Sequence, residues 1–154
     1  MAADADLIVA EGSPQRLAER GFAPRTLRRL NPEAALVLIS PFGQTGPQAE
    51  DPATDLTLMA ASGIMRMLTG QVDDTSEAPV RATGRQSAFI GGLAAACAGM
   101  HAALGQTPGA MVDVSIQEAL ATLAMTELAR AGQTGRSWSR KRVADGNGAT
   151  VCIL

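Results

Sequence analysis

ALVLISPFGQTGP, residues 35–47, opens with a run of apolar residues closed by Ser40 and continues into two glycines that bracket Gln44 and Thr45. A short continuous apolar run bounded by turn residues is the pattern of a strand buried on both faces of a parallel sheet. The glycine loop that follows it directly then lies at the carboxyl edge, where open α/β sheets bind ligands. Upstream, DLIV at residues 6–9 predicts a second short strand. Ser13 and Pro14 supply a serine cap and an N1 proline for a helix reaching about Arg20, and Gly21 ends it. A further helical segment from Pro24 to Leu30 stops at Asn31-Pro32. Strand, helix, strand is the βαβ rhythm of an α/β domain.

Downstream, Leu56, Met59, Ile64 and Met67 predict a helix over residues 55–67 that bends at Gly63, followed by a polar surface loop at 71–79. Ser87 is the expected cap of a helix running to about Leu104. Its Ala88, Gly91, Gly92, Ala94, Ala95, Ala96, Ala98 and Gly99 leave little side-chain bulk, so it must lie close against other backbone, although each interior glycine costs about 1 kcal/mol relative to alanine. Val112, Val114 and Ile116 alternate with Asp113 and Ser115 as a strand. Residues 117–130 then form an amphipathic helix with Leu120, Leu123, Ala124 and Leu128 at helical spacing. The last residues, VCIL, form an apolar strand-like ending that reads as cut short.

Composition excludes several classes. A length of 154 residues suits one core. Thirteen basic residues against 15 acidic ones give no global field toward nucleic acid or an anionic membrane. Purely apolar runs such as residues 93–97 fall far short of the roughly 20 residues that cross a bilayer, and the N-terminus lacks a secretion signal, so a cytoplasmic protein is expected. Cys97 and Cys152 are the two cysteines, with no CxxC or Cys/His cluster, which argues against disulfide frameworks and metal sites. Both are expected to be reduced and to serve packing.

Individual residues carry chemistry of different specificity. In FGQTG the absent Cβ atoms let backbone N–H groups approach a carbonyl or phosphate oxygen, though on composition alone such loops are more often tight turns. Asp55 reads as a carboxylate favoured at a helix start by the dipole. His101, alone on a packed helix, reads as a core histidine. Asp113 and Ser115 occupy the less apolar face of their strand, and Glu118 begins a helix. Arg136, Arg140, Lys141 and Arg142 around Trp138 have the composition of a stacking-plus-phosphate patch, but four cations in a glycine-flanked segment fit a solvated linker. No nucleic-acid partner is expected.

PFGQTGP at 41–47, DLTLMAASGIM at 55–65 and VDVSIQEA at 112–119 together resemble the middle of class III coenzyme A transferases. That family includes formyl-CoA transferases, carnitine CoA-transferases and α-methylacyl-CoA racemases. The resemblance implies an α/β fold: an incomplete Rossmann-like large domain, a parallel sheet with flanking helices, over residues 1–135. A linker and the start of a second domain follow at 136–154. It implies acyl-CoA and a carboxylic acid as partners, coenzyme A as a thioester substrate rather than a bound cofactor, no metal, and a homo- or hetero-dimer with a related chain. It further implies that Phe42, Gly43, Gln44, Thr45 and Gly46 shape the thioester pocket, with Gln44 and Thr45 as its polar contacts and Gln86 and Ser87 as neighbouring ligand contacts.

Departures from the family pattern matter as much. Its transferases carry an aspartate nucleophile four residues before a helix glycine, and counting back from Gly92 reaches Ala88. No catalytic residue is assigned, because an amide at Gln86 cannot do anhydride chemistry and no base is visible to activate Ser87. The racemases place histidine immediately before the aspartate that corresponds to Asp55, and Thr54 stands there instead. Near Pro14, Glu11, Gly12 and Glu19 replace residues that help the family bind CoA. Arg16 and Arg20 are the candidate CoA contacts, with Glu11 and Glu19 repelling the pyrophosphate. Two functions follow: CoA transfer between carboxylic acids, or a degenerate non-catalytic homologue partnering an active subunit.

Overall fold

Three parallel strands, β1 (Leu7–Glu11), β2 (Ala35–Ser40) and β3 (Met111–Ser115), form one sheet in the order β1-β2-β3. The computed structural model describes residues 2–68, 72–79, 81–105 and 107–135. Register pairs Val9 with Val37 and Ile39 with Val114, so the three strands end together at one carboxyl edge. The central position of β2 explains its unbroken apolar sequence: Ala35 through Leu38 and Ser40 are all buried.

The two faces of β2 are covered by different helices. α1 (Pro14–Glu19) and α2 (Pro24–Leu30) connect β1 to β2. Their buried residues Leu17 and Leu27 share a cleft with Ile8, which is in register with Leu36 and so lies on the same face. On the opposite face Val37 and Val114 pack against Ala95 of α5 (Gln86–Leu104). A second cluster joins Leu58 and Met59 of α3 (Asp55–Ala61), Ile64 of α4 (Ile64–Leu68), and Ile116 and Leu120 of α6 (Ile116–Thr122). The bend expected at Gly63 is present, with φ +78° separating α3 from α4.

α5 lies close to its neighbours, as its small residues require. Ser87, Gly91, Ala95, Gly99 and Ala102 form its buried stripe. A Cβ on Gly91 would stand 2.8 Å from Ile116 Cγ1, and one on Gly99 would stand 3.3 Å from Val37 Cγ2. α5, at 19 residues, has the length and apolarity of a membrane span. Its small-residue stripe packs against β2, β3 and α6, while Phe89, Leu93, Met100 and Leu104 on the other side are exposed.

Four expectations change. Ser87 does not cap α5. The helix begins at Gln86, the cap position Arg85 makes no side-chain bond, and Ser87 is buried within the first turn. The amphipathic helix at 117–130 is two helices, α6 and α7 (Met125–Thr134), because Leu123 and Ala124 turn tightly by donating N–H bonds to Leu120 and Ala121 three residues back. That turn keeps Ala124 in the core and leaves Leu123 and Leu128 exposed, a redistribution that helical spacing alone does not reveal. His101 and Cys97 are both exposed, on the side of α5 turned away from the sheet, so neither is a core residue. Cys152, the basic residues around Trp138 and the segment 136–154 lie outside the described residues.

The connection from α5 into β3 turns on Gly109. Its φ is +67°, its N–H donates to Glu33 O, and a Cβ there would stand 2.5 Å from the Pro32 carbonyl. Gly109→Ala is therefore expected to cost about 2 kcal/mol, measured by urea unfolding, because both the left-handed backbone and the carbonyl contact oppose a side chain.

Candidate functional site

The carboxyl edge gathers the residues singled out in the sequence. β1 ends at Glu11 and leads into Gly12, β2 runs into residues 41–47, and β3 ends at Ser115, which caps α6 by accepting the Glu118 N–H. Gly12 N donates to Ile39 O, and Gln117 N donates to Pro41 O at 3.0 Å. The glycine loop is thus tied on one side to the start of α1 and on the other to the start of α6.

Within the loop the five candidate residues divide by direction. Phe42 is half-buried against the Leu58–Ile116 core cluster. Gly43 is buried with φ +89°, a left-handed conformation that favours glycine, and it lies against the Asp113 carboxylate. The Gln44 N–H donates to both Asp113 oxygens, at 3.1 and 2.9 Å. Gln44 Nε2 donates to Gly12 O at 2.9 Å, while Thr45 and Gly46 are exposed at the tip. The N–H that a glycine loop offers to an anion is here occupied by an internal carboxylate, so Gln44 holds the loop's shape and Thr45 and Gly46 present its accessible surface.

Asp113 is the site residue that the sequence left without a role. Strand alternation did place it on the polar face, but its partner lies across the sheet edge and carries no local signal.

The first turn of α5 contains Gln86, Ser87 and Ala88. Gln86 Nε2 donates to Thr83 O at 2.7 Å. Ser87 is buried, and both its N–H and its hydroxyl donate to Asp55 Oδ1, at 2.8 and 2.6 Å. Asp55 therefore satisfies an orphan donor of α5 from a neighbouring helix, while Thr54 caps Asp55's own helix by accepting the Thr57 N–H. Burial pushes the Asp55 carboxyl up, but the Ser87 bonds and the charges of Arg81 and Arg85 outweigh it, and its pKa lies below the ordinary carboxylate value. Ala88 is exposed, one residue past this contact, and offers only a methyl group.

Arg16 and Arg20 line a cleft of about 890 Å³ beside the carboxyl end of β1. Three carboxylates, Glu11, Glu50 and Asp51, share the lining with these two guanidiniums. Glu50 Oε1 accepts the Gln15 N–H at 2.8 Å and Ser13 Oγ accepts the Arg16 N–H at 3.4 Å, so the first donors of α1 are already matched. Arg20 stacks over Phe22 at 5.5 Å from the ring centre. This edge suits a pyrophosphate poorly, and Glu50, remote in sequence, adds to the repulsion anticipated from Glu11. Among the described residues no group of three or more His, Cys, Asp or Glu side chains is placed to hold a metal ion.

Comparison with known proteins gives the same direction at every level. The family described as CoA-transferase family III matches residues 1–152. Acetyl-CoA:oxalate CoA-transferase of Acetobacter aceti is 35% identical over 120 residues, which cover 75% of this chain and 30% of that protein. Succinyl-CoA:(R)-benzylsuccinate CoA-transferase subunit BbsE of Thauera aromatica is 32% identical over 115 residues, 75% of this chain and 28% of the relative. Among solved structures, a CAIB/BAIF family protein from Brucella suis superposes with a TM-score of 0.75 at 22% identity, over 91% of this chain and 37% of that one. Rv3272 from Mycobacterium tuberculosis gives 0.73 at 21% identity, over 87% and 38%. The chain spans about a third of the length of the proteins it matches.

Proposed function

Since this chain belongs to CoA-transferase family III, we propose that it serves the transfer of coenzyme A between carboxylic acids, contributing the thioester side of the site. The observation that carries this reading is the braced loop at the carboxyl edge. Asp113, Gly12 and Gln117 fix residues 41–47 from both sides and leave Thr45 and Gly46 exposed at the tip. A preorganised edge of this kind holds a thioester without reorganising at the moment of reaction. The two curated relatives are named for oxalate and benzylsuccinate, which makes a dicarboxylic acid the natural acceptor to try. A cytoplasmic dimer of identical or related chains accompanies this reading.

A second reading, a non-catalytic homologue that partners an active chain, draws on Ala88. Covalent CoA transfer needs a carboxylate that attacks the thioester and is regenerated. The family position for it carries a methyl group, while Asp55 is committed to Ser87. Neither Gln86, bonded to Thr83 O, nor Ser87 replaces it.

Titration of CoA and acetyl-CoA into the folded chain, followed by a transfer assay with acetyl-CoA and oxalate, separates the readings. On the second, the native chain turns over nothing and Ala88→Asp introduces transfer. Transfer by the native chain discards that reading and moves the nucleophile elsewhere. Failure of the folded chain to bind either ligand overturns the thioester-site proposal itself.

A further inference from the structure

A separate cavity of about 520 Å³ opens between α3, α4, α5 and α6. Its volume falls within the roughly 300–1,000 Å³ of small-molecule pockets. Met59, Ile64, Ala82, Ile90, Leu120 and Leu123 make its apolar wall, and its polar lining consists of Arg81 and Gln86. No acidic side chain is among its described lining residues.

The cavity takes in Gln86 from the first turn of α5 but opens away from Ala88. Gln86 and Ile90 lie one turn apart on one side of α5, whereas Ala88, two residues from each, projects to roughly the opposite side of a helix with 3.6 residues per turn. A ligand between Gln86 and Ile90 therefore cannot occupy the place of the family's acyl carrier.

We propose that this cavity binds a monocarboxylic acid with an apolar chain, the chain against Ile64, Ile90 and Leu120 and the carboxylate on the Arg81 guanidinium. Desolvating the apolar part favours binding at about 25 cal/mol per Å² of surface removed from water, and the guanidinium fork matches a carboxylate in two parallel hydrogen bonds. Asp55 feels the charge of Arg81, but its Oδ1 is held by Ser87, and Asp55 is not part of the cavity wall. Gln86 is anchored to Thr83 O and forms a fixed rim rather than a competing ligand. This assignment does not depend on CoA chemistry.

Calorimetric titration of sodium octanoate and of octan-1-ol into the full chain tests it, with circular dichroism confirming that each variant is folded. Octanoate is expected to bind the native protein and to bind Arg81→Gln at least tenfold more weakly, with octanol affinity unchanged. Ile90→Trp, or Ala82→Phe where that variant folds better, is expected to fill the cavity and abolish binding of both. The proposal is overturned by folded native protein that does not bind octanoate, by equal octanoate affinity in Arg81→Gln, or by octanoate binding that survives a filled cavity.

Discussion

Gly91→Leu is expected to destabilise the protein by about 3 kcal/mol or more, a large share of the 5–15 kcal/mol by which domains are typically stable. The reason is local and steric. Even the first carbon of a side chain at Gly91 would stand 2.8 Å from Cγ1 and 3.2 Å from Cγ2 of Ile116. Ile116 is buried, and its branch point leaves few rotamers to retreat into. Gly91→Ala sets the same contact against a helix-propensity gain of about 1 kcal/mol, so its net loss is expected to be only about 1 kcal/mol. Urea unfolding of Gly91→Ala, Ile116→Ala and the double variant isolates the contact. The double variant should be more stable than the sum of the single losses predicts by about 1 kcal/mol. Strict additivity would show that the α5–α6 approach is not what makes Gly91 necessary.

That contact also marks where the sequence stops being readable. The strand at 35–40, the serine cap and proline of α1, the break at Gly63 and the small-residue character of α5 are written in local patterns, because each depends on residues a few positions apart. The glycines of α5 declare a close approach, but nothing near them names Ile116 as the partner. The turn at Leu123 and Ala124 was hidden because the apolar spacing continues through it. Asn31 shows the same limit: its side chain, buried at the end of α2, bonds the carbonyls of Ala2, Ala3 and Ala5 and accepts from Glu33 and Ala34. Locally it reads only as a helix stop. At the site, the loop's position at the sheet edge was legible, whereas its internal bonds to Asp113 and Gly12 cross about 69 and 32 residues of chain.

Asp55→Ala is expected to cost about 2 kcal/mol, with Asp55→Asn losing less. The carboxylate accepts from both the N–H and the hydroxyl of buried Ser87, and hydrogen bonds to charged groups contribute about 1.5–3 kcal/mol. Alanine leaves both donors without this acceptor at the start of a 19-residue helix. Asparagine keeps one acceptor oxygen, removes the charge that favours a helix N-terminus, and turns an amide donor toward a place where Oδ2 is buried without a partner. The pH dependence follows from the direction of the shift. The folded-state pKa of Asp55 lies below its ordinary value of 3.8, so its contribution is fully present above that value and is lost as pH falls through the folded pKa. The stability gap between native protein and Asp55→Asn should therefore be constant near neutrality and narrow below about pH 4. Urea unfolding of both proteins from pH 7 to pH 3 reads this directly. A gap that stays constant down to pH 3 would mean that the charge of Asp55 does not stabilise the first turn of α5, leaving its acceptor geometry as the whole of its contribution. The position of Ala88, one residue along that turn, makes this measurement functional as well as structural. Any carboxylate introduced at Ala88 must share a helix start with the charge already at Asp55, so the pKa of Ala88→Asp should lie higher in the native background than in Asp55→Asn.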